Sequence, residues 1–232
     1  MNKRPITTLF MLESLDGKIS SGSSDNLDAD KDFCRIEGVK EGLHQYYEIE
    51  QTTDYFSLNT GRVMAKIGVN DKNEYHEKID EVTFVIIDNK PHLNENGIDY
   101  LCSWVGKVIL VTINKNHIAH KLTKKYDNLD ILEYEILDLN KLLEDLYSKY
   151  NADRLTIQSG GTLNGLFVRK KLIDYVNIVI APLIVGGKDV PTLVDGDSIT
   201  DETELKELMP LELIECNKLD NSYVQLKYKV LR

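Results

Sequence analysis

Cysteine is scarce in this chain. Cys34, Cys102 and Cys216 are the only three among 232 residues, they lie far apart, and no CxxC pair occurs. An odd, dispersed set excludes a disulfide framework and reads as reduced thiols of a cytoplasmic protein. Positive charge is also short: 28 Lys and Arg stand against 38 Asp and Glu, a net of −10. That balance argues against a nucleic-acid or anionic-membrane partner, while leaving room for a local basic pocket for a phosphorylated small molecule. Long apolar runs are missing. The first, ITTLFML at 6–12, is cut off by Glu13 and Asp16, too short for the apolar core of a signal peptide. Nothing later approaches the roughly 20 residues of a membrane span.

Chemical signatures are missing too. No Lys-Ser/Thr pair follows a glycine-rich turn, and no GxGxxG occurs, which excludes a Walker loop and the common dinucleotide fingerprint. There is no convincing Ser-His-Asp set and no metal-ligand cluster. His117 and His120 are spaced i, i+3 in a polar stretch, which reads as a solvated helix face, not a metal site.

What is present is an ordinary globular composition, 42% apolar and 28% charged, on a chain long enough to bury a core. Short branched runs alternate with helical patterns. Residues 6–12, 54–58, 82–88, 107–113, 129–134 and 154–159 read as strands, and 175–185 as a further one. Residues 30–50 carry Phe33, Ile36, Val39, Leu43, Tyr46 and Tyr47 near helical spacing, with Asp28 or Asp30 as cap. Residues 137–150 form an amphipathic helix with Leu139, Leu142, Leu143, Leu146 and Tyr150 on one face. A helix over about 162–172 completes a β-α-β unit. The runs LELIECNKL and YVQLKYKVL, joined by Asp220-Asn221-Ser222, predict an antiparallel hairpin. The fold class is therefore α/β, a mostly parallel central sheet flanked by helices with an antiparallel C-terminal hairpin. The polar stretches 67–81 and 187–204 read as loops, and residues 1–232 as one domain.

The stretch RLTIQSGGTLNG at 154–165 places Gly160 and Gly161 where a strand gives way to a helix. In an open α/β sheet ligands gather beyond the carboxyl ends of strands, and a helix N-terminus offers unpaired N–H groups to an anion. Taken alone, the glycines serve equally as a tight turn or as a phosphate cradle. Gly165 keeps the same helix face small for packing.

SLDGKI at 14–19, QSGGTLNGLFVRKKLID at 158–174 and APLIVGGKDVPTLVDG at 181–196 occur in that order. Together they resemble the C-terminal reductase domain of bacterial riboflavin biosynthesis. The resemblance implies the dihydrofolate reductase-like fold, NADPH as cofactor, a pyrimidine with a phosphoribosylamino arm or a related pyrimidine or pterin as substrate, and a homodimer. It implies that the backbone of Ser159, Gly160, Gly161, Thr162 and Leu163 holds the cofactor pyrophosphate. Thr60, Gly61 and Arg62 in NTGRVM would approach its adenosine end, with Arg62 either a ligand of the 2′-phosphate or a solvent-facing helix cap. Gly186 and Gly187 would line the nicotinamide side, or end a strand.

Asp16, Lys18 and Gln158 are the catalytic candidates. Asp16 and Lys18 follow the first strand on a turn made by Gly17, as a substrate-side pair or as a plain β-turn. Gln158 stands where many members of that family have Glu; an amide can bond a pyrimidine edge but cannot take a proton as a carboxylate does. The Asp-Glu that usually follows the glycine helix is here Asp174-Tyr175, and the deaminase signatures H-x-E and P-C-x-x-C are missing. Two other readings stay open. Dihydrofolate reductase activity proper lacks its early Trp-acid pair, since Trp104 is the sole tryptophan. A non-catalytic nucleotide-binding paralogue would bind cofactor without turnover.

Overall fold

The computed structural model describes residues 3–73 and 77–232. The chain runs β1 (Ile6–Ser14), α1 (Ala29–Asp32), α2 (His44–Glu50), β2 (Phe56–Thr60), α3 (Gly61–Lys66) and β3 (Ile79–Ile87). It continues α4 (Glu95–Trp104), β4 (Val105–Thr112), α5 (Ala119–Leu122), β5 (Leu129–Glu133), α6 (Leu139–Tyr150) and β6 (Arg154–Ile157). It ends α7 (Gly161–Arg169), β7 (Tyr175–Ala181), β8 (Leu211–Lys218) and β9 (Val224–Val230). The elements divide into two compact units, one of Met1–Pro5 and Asp54–Ser159, the other of Ile6–Thr53 and Gly160–Arg232.

In the first unit five parallel strands lie in the order β5-β4-β3-β2-β6. Val105 and Val108–Val111 of β4 are fully buried, as the continuous branched run of a strand covered on both faces requires. One core cluster gathers Met64, Ile86, Leu93, Ile98, Leu101 and Leu110, and Phe84 meets Trp104 edge to face at 5.2 Å. α6 starts where Asp138 accepts from the amides of Asn140 and Lys141, an N-cap that satisfies two orphan donors. α4 is the helix that periodicity misses. Asn94 caps it by accepting from the Gly97 amide at 2.8 Å, and a side chain at Gly97 would strike Asn70 Oδ1.

In the second unit β1 and β7 are parallel, and β9 then β8 continue antiparallel. The hairpin turn is made by Asp220–Ser222, with Asn221 at φ 52°. β7 stops at Ala181 because Pro182 has no amide to extend the ladder, short of the strand to 185 that the sequence suggests. Phe10, Leu12, Phe33, Val39, Leu43 and Tyr46 form a core cluster on one face, with Phe10 stacked on Tyr46 at 5.2 Å.

Residues 30–50 are not one helix. Asp28 caps α1, a 3-10 turn follows at Phe33–Arg35, and turns intervene before α2. Gly38 takes φ +83°, a left-handed conformation that ends a helix. The apolar spacing still delivers Phe33, Val39, Leu43 and Tyr46 to the core. Of the stretch 67–81 read as loop, Val69–Asp71 is a 3-10 turn and Ile79 opens β3; residues 74–76 lie outside the described residues.

Candidate active site

The turn after β1 is built by hydrogen bonds, not by chance proximity. Ser14, fully buried, accepts from the Gly17 amide through its carbonyl and from the Lys18 amide through its hydroxyl. Gly17 sits at φ +74°, which a Cβ would disfavour. The Asp16 carboxylate accepts from the Ser14 hydroxyl at 2.5 Å, the Val185 amide at 3.0 Å and the Gly186 amide at 2.7 Å. The Ser14 hydroxyl, then the Val185 amide, hold its pKa down at about 2, so it is an anion at any working pH. Lys18 is not simply wet: its Nζ donates to the Val190 carbonyl at 3.0 Å. Asp16 and Lys18 are thus each committed to a different part of one loop. Gly186 and Gly187, at φ +70° and +81°, form the turn that Asp16 secures.

The residues 190–195 bind the turn after β1 to the start of α7. Ile19 donates to Pro191 and Leu193 to Gly17, while Asp195 donates to the Gly161 carbonyl. Asn164, fully buried, donates from its side chain to the Leu193 carbonyl at 2.8 Å. A Cβ on Gly161 would lie 2.3 Å from Asp195 Oδ2, and one on Gly165 would lie 1.9 Å from the Asp195 carbonyl oxygen. These two glycines exist for close packing against 192–195. The packing partner of Gly165 is therefore this strap. Gly160 differs: a Cβ there meets nothing within 4 Å. No side chain caps α7 at Gly160, and Thr162 is exposed. An uncapped helix start beside an open glycine is a setting suited to a phosphate.

In the other unit, Thr60 caps α3 by accepting from the Val63 amide at 3.2 Å, and Arg62 is exposed. Gly61 lies against Asp88, whose carboxyl carbon would be 2.3 Å from a Cβ at that position. Asp88 is a residue that sequence reasoning misses. Its side chain is fully buried and accepts from the amides of His92 and Leu93 at 3.0–3.1 Å. The rings of His92 and His117 approach it at 3.1 Å each. Burial pushes its pKa up, but the bonds from His117 and the Leu93 amide outweigh that and hold it low. His117 is accordingly no solvated helix residue. It is 1% exposed, and its Nδ1 accepts from the Ala119 amide, leaving Nε2–H to donate to Asp88. His120 instead stands 3.2 Å from Glu133. Among the described residues no group of three or more His, Cys, Asp or Glu is placed to hold a metal ion. Gln158 is half-buried and accepts from the Ser57 hydroxyl at 2.8 Å. Ser159 beside it is buried.

A family model described as the RibD C-terminal domain matches residues 5–224. The chain belongs to the RibD C-terminal domain family. A relative in Archaeoglobus fulgidus, named 2,5-diamino-6-ribosylamino-4(3H)-pyrimidinone 5′-phosphate reductase, is 25% identical over 213 residues, covering 88% of this chain and 93% of its own. The Aquifex aeolicus protein of the same name is 38% identical over 79 residues, 34% of each chain. Among solved structures, Acinetobacter baumannii RibD superposes with a TM-score of 0.69 at 17% identity. That alignment covers 99% of this chain but 59% of the longer RibD chain. The Saccharomyces riboflavin biosynthesis reductase Rib7 gives a TM-score of 0.61 at 16% identity, over 98% of this chain and 90% of that one.

Membership of the RibD C-terminal domain family confirms the kinship read from SLDGK, the glycine helix and the APLIVGG turn. The α/β class with a largely parallel arrangement and an antiparallel C-terminal pair is the fold observed. Relatives named as reductases support an oxidoreductase. No helix among the described residues is long and apolar enough to cross a membrane. Asp174, the acid of the Asp174-Tyr175 pair, is held within the fold by hydrogen bonding and an ion pair. It accepts from the Thr7 amide at 2.9 Å and pairs with Arg232.

Proposed function

We propose that this protein is an NADPH-dependent reductase that delivers hydride to the sugar carbon of a ribosylamino-pyrimidine 5′-phosphate in riboflavin biosynthesis. The observation that carries this reading is the likeness to the Archaeoglobus reductase over nearly the whole of both chains. The uncapped start of α7 beside the open Gly160 supports it, because it offers main-chain donors without a competing side chain.

Bound NADPH supplies the hydride, so no protein nucleophile is needed. The chain's own groups bind and orient. The backbone from Ser159 to Leu163 holds the pyrophosphate, Gly160 giving it access. Thr60, Gly61 and Arg62 serve the adenosine end, Arg62 through its guanidinium on the 2′-phosphate. Gly186 and Gly187, secured by Asp16, shape the nicotinamide side, and Lys18 steadies the same loop through Val190. Gln158, fixed by Ser57, presents an amide to the pyrimidine edge. We read the working form as a cytoplasmic homodimer; the exposed Leu211, Leu213 and Ile214 of β8 favour a second copy of the chain.

The test is fluorescence titration with NADPH and NADH, followed by turnover with a ribosylamino-pyrimidinone phosphate. The expected result is micromolar NADPH binding, preferred over NADH, and substrate-dependent cofactor oxidation. Failure of both cofactors to bind overturns the reading.

A further inference from the structure

Hydride addition to a carbon–nitrogen double bond leaves the nitrogen in need of a proton. Of the residues so far described, Asp16 is ionised and accepts three hydrogen bonds, Gln158 has no acidic proton, and the Lys18 ammonium is directed to the Val190 carbonyl.

Glu13 is different in kind. It is the next-to-last residue of β1, one position before the Ser14 that anchors the Asp16 turn. Strand alternation turns it to the face opposite Phe10 and Leu12, away from the core cluster those residues join. In register it stands beside Ile180 of β7, which in turn stands beside Val224 of β9. Met11 precedes it on the same face. These neighbours are apolar, and its Oε2 is buried with no hydrogen-bond partner. Of the charged groups in the adjoining turn, Asp16 is directed to Val185 and Gly186, and Lys18 to Val190. Desolvation alone raises the carboxyl from 4.5 to about 7. The shifted carboxyls of Asp16, Asp32, Asp88, Asp145, Asp201, Glu204 and Glu215 all run downward. A buried carboxyl oxygen with no partner costs stability, and perturbed groups of this sort gather at functional sites.

We propose that Glu13, as the neutral acid, donates the proton taken up by the substrate nitrogen during reduction. The proposal rests on the reductase reading above. The open-chain imine accepts hydride at its sugar carbon, forming a C–H bond as the nicotinamide is oxidised. The π pair of the C=N bond moves to nitrogen, which takes the proton from the Glu13 O–H and leaves a carboxylate. Glu13 keeps partial solvent exposure, so water reprotonates it between turnovers.

The experiment is single-turnover hydride transfer from pH 5 to 9 in the wild type, Glu13→Gln and Glu13→Leu, with NADPH affinity measured in parallel. The expected wild-type rate falls as pH rises through about 7. Both variants bind NADPH as the wild type does, lose that pH limb, and react on the order of 10²-fold more slowly, the size of a general-acid contribution. The leucine variant removes the buried carboxyl altogether, so it reports even where the amide fails to fold. Wild-type rate and pH profile in either variant overturns the role of Glu13 alone. Absence of NADPH binding by the wild type overturns the reductase reading, and the proton role falls with it.

Discussion

The Asp16 carboxylate accepts from the Gly186 amide at 2.7 Å, joining the turn after β1 to the glycine turn after β7. One side chain thus sets the position of two loops at the carboxyl ends of paired strands, which is where α/β sheets carry ligands.

Asp16→Asn tests that link. The folded pKa is depressed to about 2 from 3.8, so Asp16 contributes stability above pH 4 that is lost as pH falls through about 2. Because the residue is exposed, the loss at neutral pH is small, about 1 kcal/mol after solvent screening. Catalysis suffers more than folding, by about tenfold in kcat/KM, since the loop loses its register. Thermal unfolding at pH 3 and pH 7, with kinetics, checks both.

The glycines of the α7 segment separate into two classes. Gly165→Ala forces a methyl into the Asp195 carbonyl and is expected to cost about 2–3 kcal/mol through overpacking. Gly160→Ala meets open space and leaves stability within about 0.5 kcal/mol, yet weakens NADPH binding about tenfold by blocking backbone approach. Chemical denaturation beside cofactor titration distinguishes them.

Asp88→Asn removes a buried anion on which two amides and two histidine rings converge. The expected loss is about 2–3 kcal/mol, the range for bonds to a charged group. Its pKa is held low, so the wild-type advantage is present above the ordinary carboxylate range and fades on acidification. Parallel melts of wild type and variant, converging at low pH, would bear this out; equal stability at pH 7 would refute it.

Glu13 carries the opposite sign. Its folded pKa is raised to about 7 from 4.5, so the folded state holds the proton longer and stability falls as pH rises between those values. Glu13→Gln, a neutral isostere, is expected to match the wild type near pH 4 and to exceed it by about 2 kcal/mol at pH 8. Denaturant midpoints at the two pH values decide it, independently of any activity.

The local turns of the candidate site were legible in the sequence. SLDGK, SGGTL and the strand-to-helix change at Gly160 are local patterns, and the alternation of branched runs with amphipathic helices follows from local burial. Contacts between distant residues were not. Nothing in the chain announces that His117 reaches Asp88 across 29 residues, or that Asp195 fills the space beside Gly161. The one long misreading, a continuous helix over 30–50, arose because turns around Gly38 preserve near-helical apolar spacing without helical hydrogen bonds. Glu13 was visible only as an interruption of an apolar run; its burial depends on its neighbours in the sheet.

The strap at 190–195 has a dynamic consequence. Pro191 and Gly17 accept from Ile19 and Leu193, and Gly161 accepts from Asp195, so the β1 turn and the start of α7 share one short tether. Detachment of that tether is a single sub-global opening, which would release both loops together. The amides of Ile19, Leu193 and Asp195 should therefore show one common protection factor against solvent deuterium, and a ligand bound across the loops should slow all three by the same factor.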